Sequence, residues 1–197
     1  MVNTDSLTRD YYLLLDVSTS MTNEDNVGVS RLDRVKEITI AIADAVSQLD
    51  PDGINLITFG SKVTDHGNVT PANVSEVVTN IKAWGTTNMD GAIKTALANF
   101  MPEVPRTVIV ITDGQPDNKK AVAEVIIEAS RKIKKDEDLA IGFFQIGDDP
   151  NATSFLQFLD DELQGLGAQF DIVDTTPATS IGSPEELEQA LLKFIND

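Results

Sequence analysis

The chain has 197 residues, of which 41% are hydrophobic and 24% charged, and this composition suits one globular domain spanning residues 1–197. Its charge is strongly acidic, because 32 Asp and Glu against 15 Lys and Arg leave a net charge of −17. This balance argues against nucleic acid and anionic membranes as partners, since both bind clusters of Lys and Arg. The absence of cysteine excludes disulfides, zinc–thiolate sites and cysteine nucleophiles. With neither a signal-peptide pattern nor an apolar run of bilayer length, we expect a cytoplasmic protein.

Short apolar runs alternate along the chain with apolar residues at helical spacing, which is typical of a parallel sheet covered by helices on both faces. The first run, residues 11–15, has no polar alternation and predicts a strand buried on both sides. The predicted strands span residues 11–15, 54–59, 63–69, 107–112, 139–146 and 170–174. Helices are predicted to begin near residues 32, 70, 88, 122, 150 and 183, and the third is predicted to end near residue 100.

Shorter sequence signals indicate which strands lie at the edges of the sheet and where some helices begin and end. The polar run 63–69 predicts an antiparallel strand at one sheet edge, and the alternation in 170–174 predicts the other edge. Thr70-Pro71 predicts a helix start, and Ser183 with Glu186 predicts a capping box. Basic residues in 131–135 are expected in the last turn of the fourth helix, where they complement its dipole. We therefore predict a doubly wound, Rossmann-like α/β sheet of six strands, five parallel and one an antiparallel edge strand.

Polar residues follow the first strand at its carboxyl end, the side of an open α/β sheet where ligands bind. Asp16, Ser18 and Ser20 offer hard oxygen donors, which suit Mg²⁺ or Mn²⁺. A Ser-rich turn that caps the next helix would have the same composition, so this segment alone leaves both interpretations open. Two further segments carry similar residues: the loop 84–88, which contains Thr86, and the end of a second buried strand at Asp113.

The three segments stand in the order and at the intervals of the metal-ion-dependent adhesion site of von Willebrand factor A domains. The chain resembles that family, which includes integrin I domains, over almost its whole length. The resemblance implies that Ser18, Ser20 and Thr86 bind a metal directly through their hydroxyls. It also implies that Asp16 and Asp113 act mostly through bound water. The implied metal is Mg²⁺, with Mn²⁺ or Ca²⁺ as alternatives.

The resemblance implies a non-catalytic module that binds an Asp or Glu of a partner protein through the metal. Three neutral hydroxyls leave Mg²⁺ short of negative charge and leave one octahedral position open. A carboxylate from the partner can enter that position. We expect no nucleic acid or membrane partner, and we expect the chain to be a monomer by itself.

Two alternatives belong to other functional classes. One is an Mg²⁺-dependent phosphate-ester hydrolase; enzymes that resemble haloacid dehalogenases need a second acid where this chain has Ser18. The other is an A-domain subunit that works with an AAA+ ATPase or a stress-response complex, which differs from the first proposal only in the partner. The sequence lacks a P-loop, a dinucleotide fingerprint after the first strand and a nucleophile elbow.

Other polar and aromatic residues carry weaker signals. His66 is the only histidine, and without a neighbouring histidine or thiolate we interpret it as a surface residue. Trp84 precedes the threonine loop and is either a contact for the partner or part of the core. Asp148, Asp149 and Asp174 near strand ends are typical of helix caps and turns, and the alternative is a polar rim that selects partners.

Overall fold

The computed structural model describes residues 9–24, 28–48, 50, 52–178 and 184–196. Strands and helices alternate through most of these residues. The strands are β1 (Asp10–Asp16), β2 (Ile54–Phe59), β3 (Val63–Val69), β4 (Arg106–Thr112), β5 (Leu139–Gln145) and β6 (Val173–Pro177). The helices are α1 (Arg31–Ser47), α2 (Val74–Thr79), α3 (Met89–Leu97), α4 (Lys119–Ser130), α5 (Pro150–Asp161) and α6 (Pro184–Asn196). None of the described helices combines the length and apolarity needed to cross a bilayer.

The six strands form one sheet in the order β3-β2-β1-β4-β5-β6. Strand β3 pairs antiparallel with β2, and the other neighbours in the sheet are parallel. The predicted fold class is therefore confirmed. From β1 the chain builds the sheet outward through β2 and β3, then returns to the other side of β1 with β4. The carboxyl ends of β1 and β4 consequently flank the point where the strand order reverses, which is where open α/β sheets bind ligands.

Apolar side chains from the two faces of the sheet form two hydrophobic clusters. Strands β4 and β5 are buried along their whole length, as expected for central parallel strands with helices on both faces. Helices α3, α4 and α5 cover one face, and α1, α2 and α6 cover the other. In β1, Leu14 faces the first cluster, while Leu13 and Leu15 face the second, because side chains alternate along a strand.

Helix α6 packs over β5 through aromatic and charged contacts. The rings of Phe144 in β5 and Phe194 in α6 lie 5.1 Å apart between centroids. Beside them, Gly142 leaves room for the ring of Phe194, since a Cβ atom at Gly142 would overlap that ring. Lys193 Nζ donates to Asp174 Oδ1 of β6 at 2.6 Å. These contacts place the last helix against the half of the sheet that lies beyond β4.

Helices α2 and α4 differ most from their predicted bounds. Helix α2 begins at Val74 rather than at Thr70-Pro71, because Asn73 Oδ1 accepts the Thr70 amide at 2.8 Å and closes a turn first. Helix α4 ends at Ser130, so the basic residues in 131–135 follow the helix instead of forming its last turn. The hydroxyl of Ser130 donates to the Ile127 carbonyl at 2.8 Å. It also accepts the amide of Gln169, in the segment before β6, at 3.0 Å.

Other boundaries shift by a few residues. Helix α3 ends at Leu97, short of the predicted residue 100, and β6 runs over Val173–Pro177 instead of 170–174. Strand β6 starts later than predicted because its pairing with β5 begins at Val173, which lies opposite Ile141. The predicted capping box at the start of α6 involves Ser183, which lies outside the described residues.

Candidate metal centre

Asp16 ends β1 and connects the first loop to the neighbouring strand. Its side chain is fully buried. Oδ1 accepts the amide of Ser18 at 2.8 Å, and Oδ2 accepts the hydroxyl of Thr112 in β4 at 2.6 Å. Thr112 in turn accepts the Gly114 amide at 3.2 Å. One carboxylate therefore holds the loops after β1 and β4 next to each other.

Burial raises the pKa of Asp16 from its ordinary value of 3.8 to about 6. Hydrogen bonds from Ser18 and Thr112 oppose this change, and the nearby charge of Asp113 adds to it. A buried carboxyl with these partners favours a nearby positive charge, because that charge stabilises the ionised form.

The two serines lie within hydrogen-bond distance of each other. Ser18 Oγ and Ser20 Oγ are 3.0 Å apart, and Ser20 Oγ donates to Asp113 Oδ1 at 2.9 Å. Adjacent oxygens around an octahedral Mg²⁺, each about 2.0–2.1 Å from the ion, are separated by about 2.9 Å. The hydroxyl pair therefore already has the spacing of two neighbouring Mg²⁺ ligands. Ser18 is buried and Ser20 is exposed, so the pair opens toward solvent on one side.

Asp113 has a second partner that the sequence did not indicate. Arg31, the first residue of α1, donates from Nη1 to Asp113 Oδ2 at 2.6 Å. A Cβ atom at Gly147, after β5, would lie 3.0 Å from Arg31 Nη2, so the guanidinium occupies the space between these elements. The side chain of Ser30 caps α1 by accepting the Asp33 amide. No pattern in the sequence indicates the contact between Arg31 and a carboxylate 82 positions away.

The loop before α3 contacts the loop after β1 through its backbone. Thr19 donates its amide to the Gly85 carbonyl at 3.0 Å and accepts the Gly85 amide at 3.0 Å. The amide of Trp84 donates to the carbonyl of Val17 at 2.6 Å. Gly85 has a φ of 90°, and a Cβ atom there would overlap Ser61, so this turn requires glycine.

The threonine of this loop lies beside the other predicted ligands without touching them. Within the described part of the chain, the Thr86 hydroxyl has one hydrogen-bond partner, Ser61 Oγ, at 3.4 Å. Ser61 also accepts the Thr86 amide at 2.9 Å. The structure thus brings Asp16, Ser18, Ser20 and Asp113 into one hydrogen-bonded group, while a role for Thr86 as a ligand stays a prediction.

No three carboxylate, histidine or cysteine side chains come together as a metal site among the residues that the structure describes. Any cation at the end of β1 would therefore depend on hydroxyl oxygens, with Asp16 and Asp113 behind them. Neutral hydroxyls and carboxylate-bound water are ligands that hard cations such as Mg²⁺ accept. The donor set fits a divalent metal.

Residues with weaker signals have local roles. The His66 ring forms a hydrogen bond of 2.9 Å with Thr58 Oγ1, in which either group can be the donor. Partial burial of the ring lowers the pKa of His66. Asp149 caps α5 by accepting the Asn151 amide at 2.8 Å. Trp84 is 63% exposed, which removes core packing as an explanation for it.

Comparison with solved structures places the same fold in proteins of several kinds. The PilB minor pilin from Streptococcus sanguinis aligns with a TM-score of 0.68 at 13% identity, over 95% of this chain and 61% of the pilin. The manganese-loaded TRAP protein of Plasmodium vivax aligns at 0.61 and 20% identity, over 96% and 74%. A von Willebrand factor type A protein from Catenulispora acidiphila aligns at 0.57 and 16%, over 95% and 42%. At these identities the similarity shows the fold alone.

Sequence comparison identifies the family. Curated protein sequences contain no significant match to this chain. The profile of the von Willebrand factor type A domain matches residues 11–115, which is more than half of the chain. That segment runs from the start of β1 to the loop after β4 and so contains the whole candidate metal centre. The chain therefore belongs to the von Willebrand factor type A domain family.

Proposed function

We propose that this chain is a protein-binding module whose partner is held through a divalent metal at the end of β1. Ser18, Ser20 and Thr86 would bind the metal directly, and Asp16 and Asp113 would act through water. The single observation that supports this proposal best is the 3.0 Å distance between the hydroxyls of the two serines, which suits neighbouring Mg²⁺ ligands. Mn²⁺ and Ca²⁺ are the alternatives.

A metal held by hydroxyls keeps most of its positive charge. Asp113 is also paired with Arg31, so part of its charge is compensated before a metal arrives. A metal in this setting gains from one further negative ligand, and a partner protein can supply it as an Asp or Glu side chain. The family supports the coarser statement, since von Willebrand factor type A domains mediate protein interactions.

Thermal unfolding in Mg²⁺ and in EDTA tests the metal. The wild type should gain about 2.7 kcal/mol of stability at a hundredfold excess of metal over Kd. Asp16→Ala and Asp113→Ala should lose this gain. Asp161→Ala, an exposed carboxylate at the end of α5, is the matched control and should keep it. Equal melting of the wild type in millimolar Mg²⁺ and in EDTA would contradict the proposal.

The proposal includes the absence of catalysis. A phosphate-ester hydrolase would need Asp16 as its nucleophile, yet both carboxylate oxygens accept hydrogen bonds inside the protein and the side chain is fully buried. This geometry suits support of a bound metal better than attack on a phosphorus atom. A phosphatase screen with Mg²⁺ checks the point, and turnover that disappears in Asp16→Ala would establish the hydrolase instead.

In this proposal the chain is a monomer with one domain, and it binds its partner protein in the cytoplasm. An AAA+ ATPase or a stress-response complex is compatible with it. Binding assays in Mg²⁺ and in EDTA, with candidate partners carrying Asp→Asn or Glu→Gln changes, separate metal-dependent binding from ordinary surface contact. Binding that survives both EDTA and Asp113→Ala would refute the metal-dependent mode.

A further inference from the structure

A groove of about 500 Å³ opens beside the metal centre, between the β2–β3 hairpin, α2 and the loop before α3. Apolar side chains form much of its surface, including Ile81, which is buried, and Trp84, which is 63% exposed. A groove of this size holds several side chains of an extended peptide. An exposed tryptophan at its edge is the type of residue that contributes strongly to binding.

The groove is continuous with the proposed metal ligands. Ser61 lines it and also contacts both the amide and the hydroxyl of Thr86, at 2.9 and 3.4 Å. Trp84 and Val17 line it as well, and the backbone hydrogen bond between them joins the two ligand-bearing loops. A chain segment that reaches the metal at Thr86 therefore meets this groove next.

The charges in the groove contrast with those of the whole chain. Lys62 and Lys82 are both exposed and line it, whereas Glu76 is the single carboxylate among the described residues that line it. In the described part of the chain neither lysine has a carboxylate within ion-pair distance. Two unpaired ammonium groups beside an apolar surface favour a negatively charged ligand, on a chain whose net charge of −17 otherwise repels one.

We propose that this groove binds an acidic, extended segment of the partner protein, adjacent to the residue that coordinates the metal. A second Asp or Glu of that segment contacts Lys62 and Lys82, and an apolar side chain packs on Trp84. The inference rests on the proposed function, because the metal-bound carboxylate sets the register of the segment. A second copy of this chain is a poor occupant, since each copy carries a net charge of −17. A partner that supplied only one carboxylate to the metal would leave this groove empty.

Selection from a random peptide library tests the inference without a known partner. Phage-displayed dodecapeptides are bound to the wild type in Mg²⁺ and eluted with EDTA. Affinities of the enriched synthetic peptides are then measured by fluorescence anisotropy against three proteins. These are the wild type, the double variant Lys62→Glu/Lys82→Glu and the control Lys132→Glu/Lys135→Glu, which changes the same charge at exposed lysines after α4.

Enriched peptides should contain one acid essential for metal dependence and a second acid at a constant spacing. The groove variant should bind them at least about tenfold more weakly than the control does, since each exposed pair contributes a few-fold and reversal adds repulsion. Its Mg²⁺-dependent thermal shift should stay at the wild-type value, which shows that the fold and metal site are intact.

Each other outcome is decisive. Metal-dependent peptides that lack a second acid, or that bind the groove variant as tightly as the control, overturn the groove inference and leave the proposed function standing. A failure to obtain any EDTA-eluted peptide overturns both.

Discussion

Asp16→Asn is the substitution that separates metal binding from the stability of the metal-free fold. It keeps the size of the side chain and an oxygen that can accept the Ser18 amide. The hydroxyl of Thr112 can rotate, so the substitution also keeps a hydrogen bond to β4. What it removes is a charge that is fully buried.

The expected change in stability follows from the pKa of Asp16. Asp16 has a pKa of about 6 in the folded protein against an ordinary value of 3.8. The difference corresponds to about 3 kcal/mol. Because the folded-state pKa is the higher one, the metal-free folded state holds the proton more tightly than the unfolded state does. Its stability is therefore full below pH about 4, falls as the pH rises to about 6, and stays low above that value.

Urea unfolding followed by circular dichroism in EDTA, from pH 4 to 8, measures this effect as the difference between wild type and Asp16→Asn. The variant should be more stable than the wild type by up to about 3 kcal/mol at pH 7.5, and the two should converge near pH 4. In Mg²⁺ the order should reverse or narrow, because only the wild type gains from the metal. Asp161→Asn, with an exposed carboxylate, should follow the wild type.

A variant that is no more stable than the wild type in EDTA at pH 7.5 would refute the reasoning. So would a constant difference across the pH range, because the cost assigned to ionised Asp16 must disappear when that carboxyl is protonated.

Three further substitutions test the surroundings of the site. Arg31→Gln should strengthen Mg²⁺ binding roughly three- to tenfold by calorimetry, because it removes a cation bound to Asp113 at 2.6 Å. Gly60→Ala should weaken Mg²⁺ binding, because its Cβ would overlap a carbonyl of the loop that carries the predicted threonine ligand. Gly142→Ala should cost about 1–3 kcal/mol in urea unfolding, because the methyl group overlaps the ring of Phe194, and Phe194→Leu in the same protein should restore part of the loss.

The contradicting results differ between the three. Equal or weaker Mg²⁺ affinity in Arg31→Gln would mean that Arg31 orients Asp113 more than it competes with the metal. Unchanged affinity in Gly60→Ala would show that the loop before α3 can move without consequence for the metal. Additive losses in the Gly142 and Phe194 double variant would show that the two positions do not share one contact.

The fold could be predicted from the sequence because its main signals are local. The apolar runs of β1 and β4 have no polar alternation, and this identified them as central parallel strands. Helix α2 was misplaced since Thr70-Pro71 resembles a helix start, whereas the side chain of Asn73 forms a turn first. Whether Thr70-Pro71 begins a helix or a turn depends on the side chain three residues after Thr70.

The site was predictable only where its residues follow strand ends. Asp16 and Asp113 both do, so their proximity follows from the topology. The pairing of Arg31 with Asp113 depends on how α1 packs, and no sequence spacing encodes it. The Thr86 hydroxyl lies 3.4 Å from Ser61 Oγ, and no sequence pattern indicated this contact.

The backbone hydrogen bonds that connect the loops also define how force would pass through the molecule. Val17 is bonded to Phe59 at the end of β2 and to Trp84, and the next loop residue but one, Thr19, is bonded to Gly85. A pull on a partner held at the metal would consequently be shared by the ends of neighbouring parallel strands. No single loop would carry the load.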